Sequence, residues 1–136
     1  AELEEQGLLS PLAAGSNVVV HNGVSDEEYA ELLESAHALV TASRAEGYGL
    51  PVVEAQAAGC PAVISDIDIF REIAPHAVFA PVTEDPQADA PAWVEAIRSL
   101  EDDAVRDRVI LEGLQDASHY SWRDSALKLV RIVRGL

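Results

Sequence analysis

The sequence predicts an α/β fold, a parallel β-sheet with helices packed on both faces. Two observations carry this. Short apolar runs alternate along the chain with segments of helical periodicity, and such alternation builds a parallel sheet covered by helices. Helix boundaries are also written into the chain, by Ser25 three residues before Glu28, by Pro51 and by Gly59. A capping box and a first-turn proline start helices, and a glycine stops them.

In order, Glu2 to Gln6 reads as a helix end stopped by Gly7, and Asn17 to His21 as a short strand. Ser25 and Glu28 open an amphipathic helix, since Tyr29, Leu32, Leu33 and Ala36 follow at i, i+3, i+4, i+7. Ala38 to Ala42 is a strand. A glycine-bearing loop then enters a helix starting on Pro51 and ending at Gly59, followed by the strand Pro61 to Ser65. A short helix around Ile69 to Ala74 leads to the strand Ala77 to Ala80, and the acidic, proline-rich Pro81 to Pro91 reads as a surface connection. Three helices follow. Trp93, Val94, Ile97 and Leu100 mark the first, Val105, Val109 and Leu114 the second, and Ala126, Val130 and Val133 the third, which Ser121 caps with Asp124. The chain has no internal repeat or low-complexity tract.

The chain's 136 residues are one domain's worth and can bury a core, and 49% hydrophobic residues with a mean hydropathy of +0.06 fit a soluble globular protein. No apolar run is long enough to cross a bilayer and no basic-then-apolar leader opens the sequence. A single cysteine, Cys60, excludes an intrachain disulfide and suits a reducing cytoplasm; beside Pro61 it reads as a small buried apolar residue. His21, His37, His76 and His119 lack metal-ligand spacing, so no metal is expected. The net charge of -15 and pI near 4.4 count against a nucleic-acid partner, whose phosphates need a basic surface.

The chemistry concentrates between Glu46 and Glu54, which read E-G-Y-G-L-P-V-V-E. A helix begun at Pro51 leaves the N–H groups of Leu50, Val52 and Val53 unpaired at the positive end of its dipole, a ready site for phosphate. Gly47 and Gly49 let the backbone approach it closely. Glu54 lies one turn into the helix and leans back toward that site, where a ribose diol offers two donors to one carboxylate. Glu46 lies in the loop beyond the phosphates, where a sugar on a diphosphate would sit. Each residue also has a plainer reading: Glu54 as a dipole-complementing carboxylate, the glycines as a turn and a cap, Arg44 as a solvated surface charge.

Ser43, Glu46, Gly47, Gly49, Leu50, Pro51, Glu54, Ala55, Ala58 and Gly59 resemble the signature of group 1 glycosyltransferases, retaining enzymes of the GT-B fold that use nucleotide sugars. The two glutamates match that family's E-x-x-x-x-x-x-x-E motif, with Tyr48 where phenylalanine is usual. The flanks are similar too, from V-V-V-H-N-G-V-S-D-E-E through Arg71 and Glu72, Glu101 and Asp102, to Ser121 and Trp122. The resemblance implies a Rossmann-like, nucleotide-sugar-binding C-terminal domain spanning residues 1–136. It implies that Glu46 is catalytic and contacts the donor sugar, that Glu54 holds the nucleotide ribose, and that the segment Gly47, Tyr48, Gly49, Leu50, Pro51, Val52 and Val53 binds the diphosphate. It implies no cofactor beyond the nucleoside-diphosphate sugar, which is a substrate, and a cytoplasmic location, at the inner face of the membrane in a full-length protein.

Only four strands are recognisable, against about six in the doubly wound order. By resemblance they are the third to sixth, so the domain is expected to be incomplete, without the family's arginine and lysine for the diphosphate and without the acceptor-binding N-terminal domain. That accounts for an acidic chain with one lysine, Lys128, facing an anionic ligand. It predicts that Asn17 to His21 either docks beside Ala38 to Ala42 or pairs across that open edge in a homodimer, and that the chain alone is inactive. The rival readings are a non-catalytic nucleotide-sugar-binding regulatory domain and a receiver-like signalling domain. The paired glutamates weigh against the first, and the missing acidic cluster and late lysine against the second.

Overall fold

The computed structural model describes residues 18–135. The helix end expected at Glu2 to Gln6, and Asn17, lie outside the described residues. Among the described residues the sheet has three parallel strands, in the order β1 (Leu39–Thr41), β2 (Ala62–Ser65), β3 (Val78–Ala80). Leu39 lies opposite Ala62 and Thr41 opposite Ile64, while Val63 pairs with Val78 and Ser65 with Ala80. All four residues of β2 are buried, as a central parallel strand requires.

Alternation along the strands divides the core in two. Ala62 and Ile64 face α2 (Leu50–Ala57) and α3 (Asp68–Ile73), meeting Val52, Phe70 and Ile73. Val63 and Ala80 face the other way, onto Ala96 of α4 (Pro86–Arg98), Leu100 of the following 3₁₀ turn and Val109 of α5 (Asp103–Ser118). At the edge, α1 (Asp26–Ser35) sets Leu33 against Ala55 and Cys60. The expected α/β architecture, with helices on both faces of a parallel sheet, is therefore present.

Local chemistry fixes the helix ends. Ser25 and Glu28 form the complete capping box, with Glu28 N–H donating to Ser25 Oγ at 3.2 Å and Ser25 N–H to Glu28 Oε2 at 2.8 Å. At the end of α2, Gly59 is left-handed (φ 73°), Cys60 N–H donates to Ala55 O at 2.8 Å and Gly59 N–H to Gln56 O at 3.1 Å, a Schellman closure. Asp102 caps α5 through Ala104 N–H and Val105 N–H. Ser121 caps α6 (Trp122–Arg134) through Asp124 N–H.

Three expectations need correction. Residues 18–21 form no strand and pair with neither edge of the sheet; Val18, Val19 and Val20 are 50–73% exposed. Their β-branched side chains favour a strand only where a neighbouring strand packs beside them, and none of the described strands pairs with them. The segment Pro81 to Pro91 is a connection only as far as Asp85, because Asp85 Oδ1 accepts from Gln87 N–H and Ala88 N–H and starts α4 on Pro86. Pro91 then lies inside the helix, where its missing N–H forfeits one bond. Finally, the inward stripe of α5 passes through Gly113 and Ala117 rather than Leu114, which is exposed. A Cβ at Gly113 would come within 3.2 Å of Gln56 Cγ, so the glycine leaves room for the buried Gln56 side chain between α2 and α5.

The tightest backbone position is Gly49, with φ 81° at the N-cap of α2. A Cβ there would lie 2.8 Å from both Ile73 Cδ1 and Phe70 Cε1. Gly23 has a similar φ of 68° but open space around it. Gly49→Ala is expected to destabilise by about 2–4 kcal/mol, combining the left-handed penalty with overpacking, and Gly23→Ala by about 1 kcal/mol. Urea unfolding of both variants checks this; equal losses would contradict the close approach.

Candidate functional site

The carboxyl ends of the three strands lie on one side of the sheet, where ligands of open α/β sheets bind. From β1 the chain enters the loop at 42–49 and then α2. Polar groups fasten this loop to the sheet. Ser65 Oγ donates to Thr41 O at 3.4 Å, Thr41 Oγ1 lies 3.3 Å from Ser43 Oγ, and Ser43 Oγ donates to Glu46 Oε1 at 2.5 Å. With the Ser43 proton committed to Glu46, the Thr41 hydroxyl is the donor to Ser43. Glu46 is thus held by the Ser43 hydroxyl, with the Thr41 hydroxyl behind it, while the buried Ser65 separately pins the Thr41 carbonyl.

Gly49 next turns the backbone into α2. Val52 N–H and Val53 N–H both donate to Gly49 O, at 3.0 and 3.4 Å. These two amides were expected to be free. Because Gly49 closes the first turn on its own carbonyl, the open amides sit earlier: among the described residues, Gly47, Tyr48, Gly49 and Leu50 N–H make no hydrogen bond. The backbone donors therefore fall on the loop side of the helix end, between the two glutamates in sequence. Val52 is buried and Val53 half-buried, so their side chains belong to the core, whereas Glu46, Gly47, Tyr48, Leu50, Pro51 and Glu54 are exposed.

Glu54 accepts a hydrogen bond from Tyr29 OH at 3.3 Å, which joins α1 to α2. Burial raises the Tyr29 phenol above its ordinary pKa, and the Glu54 charge adds to the rise, so the hydroxyl stays a donor at neutral pH. Tyr48 meets Tyr120 edge-on, ring centroids 6.0 Å apart, and Tyr120 OH donates to Glu72 O at 3.4 Å. Beside them, Tyr48, Leu50, Glu54, Tyr120 and Trp122 line a cavity of about 360 Å³.

Two carboxylates brace the surroundings, Asp66 and Asp116. Arg71 holds Asp66 in a fork, with Nε at 2.5 Å and Nη2 at 2.6 Å, and lies over the Phe79 ring at 4.8 Å. That fork keeps the Asp66 carboxyl below its usual range. The buried Asp116 carboxylate takes His76 Nδ1 at 2.9 Å and His76 N–H at 3.3 Å, tying the α3 end to α5 just before Tyr120. Sequence reading missed Tyr29, Tyr120 and the His76–Asp116 pair, since each contact joins residues 25 or more apart along the chain. Only the three-residue spacing of Ser43 and Glu46 offered a local signal. Among the described residues no group of three or more His, Cys, Asp or Glu could hold a metal, and no helix is long and apolar enough to cross a membrane.

Comparison with known proteins gives the family and the fold. The model of the family described as glycosyl transferases group 1 matches residues 3–115. The chain belongs to the group 1 glycosyl transferases. Among relatives of this group 1 chain, O-antigen chain mannosyltransferase B of Escherichia coli is 30% identical over 107 residues, covering 79% of this chain and 27% of that protein. D-inositol 3-phosphate glycosyltransferase 1 of Catenulispora acidiphila is 31% identical over 128 residues, covering 93% and 30%. Sucrose-phosphate synthase from Thermosynechococcus elongatus superposes with a TM-score of 0.73 at 28% identity, over 97% of this chain and 33% of that one. The group 1 chain thus spans about a third of the length of these proteins, and its fold is similar to a GT-B glycosyltransferase domain.

The His76–Asp116 pair makes stability depend on pH. The hydrogen bond and charge of Asp116 raise the His76 pKa above its ordinary 6.5. Because the folded value is raised, the stabilisation is fully present below about 6.5 and is lost as pH rises through the folded value. The melting temperature of the wild type is expected to exceed that of His76→Gln most below pH 6.5, with the gap narrowing at higher pH. A gap constant from pH 5 to 9 would contradict the pairing.

Proposed function

We propose that this chain forms part of the donor site of a retaining glycosyltransferase that moves a glycosyl group from a nucleoside-diphosphate sugar to an acceptor hydroxyl. The observation that carries the reading is the run of open amides from Gly47 to Leu50, set between Glu46 and Glu54 at the start of α2. In this reading those amides and the helix dipole take the diphosphate oxygens, the Glu54 carboxylate takes the ribose diol, and Glu46 contacts the donor sugar. Negative charge builds on the diphosphate as the glycosyl bond breaks, and donors fixed in place stabilise it without reorganising.

A helix end supplies about half an elementary charge, too little for a leaving diphosphate, and within this site Arg71 is already forked to Asp66. The basic partners and the acceptor-binding half are proposed to lie in a longer protein, consistent with the third of each relative that the chain spans. The 136-residue chain alone is then inactive. A cytoplasmic enzyme fits, since activated sugar nucleotides and a free buried thiol both suit that compartment.

Calorimetry of the full-length protein with UDP and with GDP tests the division of roles. Glu54→Ala is expected to weaken binding of the cognate nucleotide by about 1.5–3 kcal/mol, the loss of a charge-assisted hydrogen bond. Glu46→Gln is expected to lower turnover while sparing nucleotide affinity, as for an interaction made mainly in the transition state. Unchanged affinity in Glu54→Ala, or equal loss in both variants, would sink the assignment.

A further inference from the structure

The loop carrying Glu46 has a second anchor on the far edge of the sheet. Arg44 Nη2 donates to Thr83 O at 2.5 Å, and Arg44 Nη1 lies 3.0 Å from Glu84 Oε1. Thr83 is fixed in turn by Asp89, whose carboxylate accepts from Thr83 N–H at 2.6 Å and from Thr83 Oγ1 at 2.9 Å. Asp89 is 7% exposed and lies in the first turn of α4. The Glu84 side chain is 99% exposed, so that ion pair is screened and the weaker half of the contact. The carbonyl of Thr83, held from behind by a buried carboxylate, is the firm half.

We propose that Arg44 is a positioning residue. It straps the Glu46 end of the loop to the β3–α4 connection, with Asp89 as the buried anchor of the strap. The two ends of the loop are then held by different physics. The Gly49 end is held by packing on Phe70 and Ile73, and the Glu46 end by polar contacts from Ser43 on one side and Arg44 on the other. Arg44 stands two residues before Glu46 and is not itself aimed at the open amides, because its guanidinium is spent on Thr83 and Glu84. A charge that reads as solvated in the sequence thus bridges 39 residues to close the carboxyl edge of the sheet. Its bearing on glycosyl transfer rests on the donor-site reading of the loop; the strap itself does not.

The two can be separated by measurement. Backbone ¹⁵N relaxation of the 136-residue chain, with no ligand added, reads the strap alone. Order parameters at 44–47 are expected near the rigid value of about 0.85 in the wild type and below about 0.6 in Arg44→Ala, with Gly49 to Glu54 and β2 unchanged. Arg44→Lys, which can still donate to Thr83 O, is expected to fall between them. Asp89→Ala, which removes both acceptors of Thr83, is expected to loosen the same residues. Wild-type order at 44–47 in Arg44→Ala, a wild-type loop already below about 0.6, or loosening spread over the whole sheet would each overturn the proposal. In the full-length protein, Arg44→Ala is expected to lower turnover while holding UDP or GDP affinity within about twofold. Rigid loss without any nucleotide binding in the wild type would leave the strap standing and remove the donor reading.

Discussion

Gly49 sits where three demands meet. The chain leaving β1 must reverse to start a helix, the helix must lie close enough to bury Val52, and the loop must leave amides without a partner among the described residues. A left-handed backbone at Gly49 satisfies the first, and the absence of a side chain against Phe70 and Ile73 the second. The third follows, because Gly49 O takes both Val52 N–H and Val53 N–H and so completes the turn before any ligand is present. With another residue there, α2 would have to move off α3, and the loop with it.

From that constraint the electrostatics of the site can be ranked. The loop presents neutral donors, the backbone amides, flanked by two carboxylates, each already holding one hydroxyl: Ser43 on Glu46 and Tyr29 on Glu54. These hydroxyls orient the carboxylates while leaving oxygen lone pairs open to further donors. The nearby arginines serve the frame instead. Arg71 closes on Asp66 and Arg44 on Thr83, so the described site is built to orient more than to neutralise.

Much of this was legible in the sequence because it is local. The Ser25 box, the first-turn Pro51, the glycine stop at Gly59 and the two glutamates are short-range patterns, and each element around them lies within a residue or two of its expected bounds. What was not legible depends on neighbours far along the chain. Val18 to Val20 have strand composition but no partner among the described residues, Pro86 starts a helix because Asp85 can cap it, and Leu114 yields the inward face to Gly113 because Gln56 needs the space. The stripe of Ala126, Val130 and Val133 does form a helix, yet no residue of α6 is buried. At the site, residue types carry the proposed chemistry, and the loop's own hydrogen bonds decide which amides remain without a partner among the described residues.

The central claim is that the amides from Gly47 to Leu50 receive a diphosphate. Amide chemical-shift mapping on the full-length protein, titrated with UDP and GDP and with the corresponding nucleosides, tests it most directly. The account predicts that a diphosphate moves the amides of Gly47, Tyr48, Gly49 and Leu50 most, those of Val52 and Val53 less, and that the nucleoside alone leaves the first four nearly still. Equal shifts with nucleoside and nucleotide, or shifts confined to residues away from this loop, would contradict it.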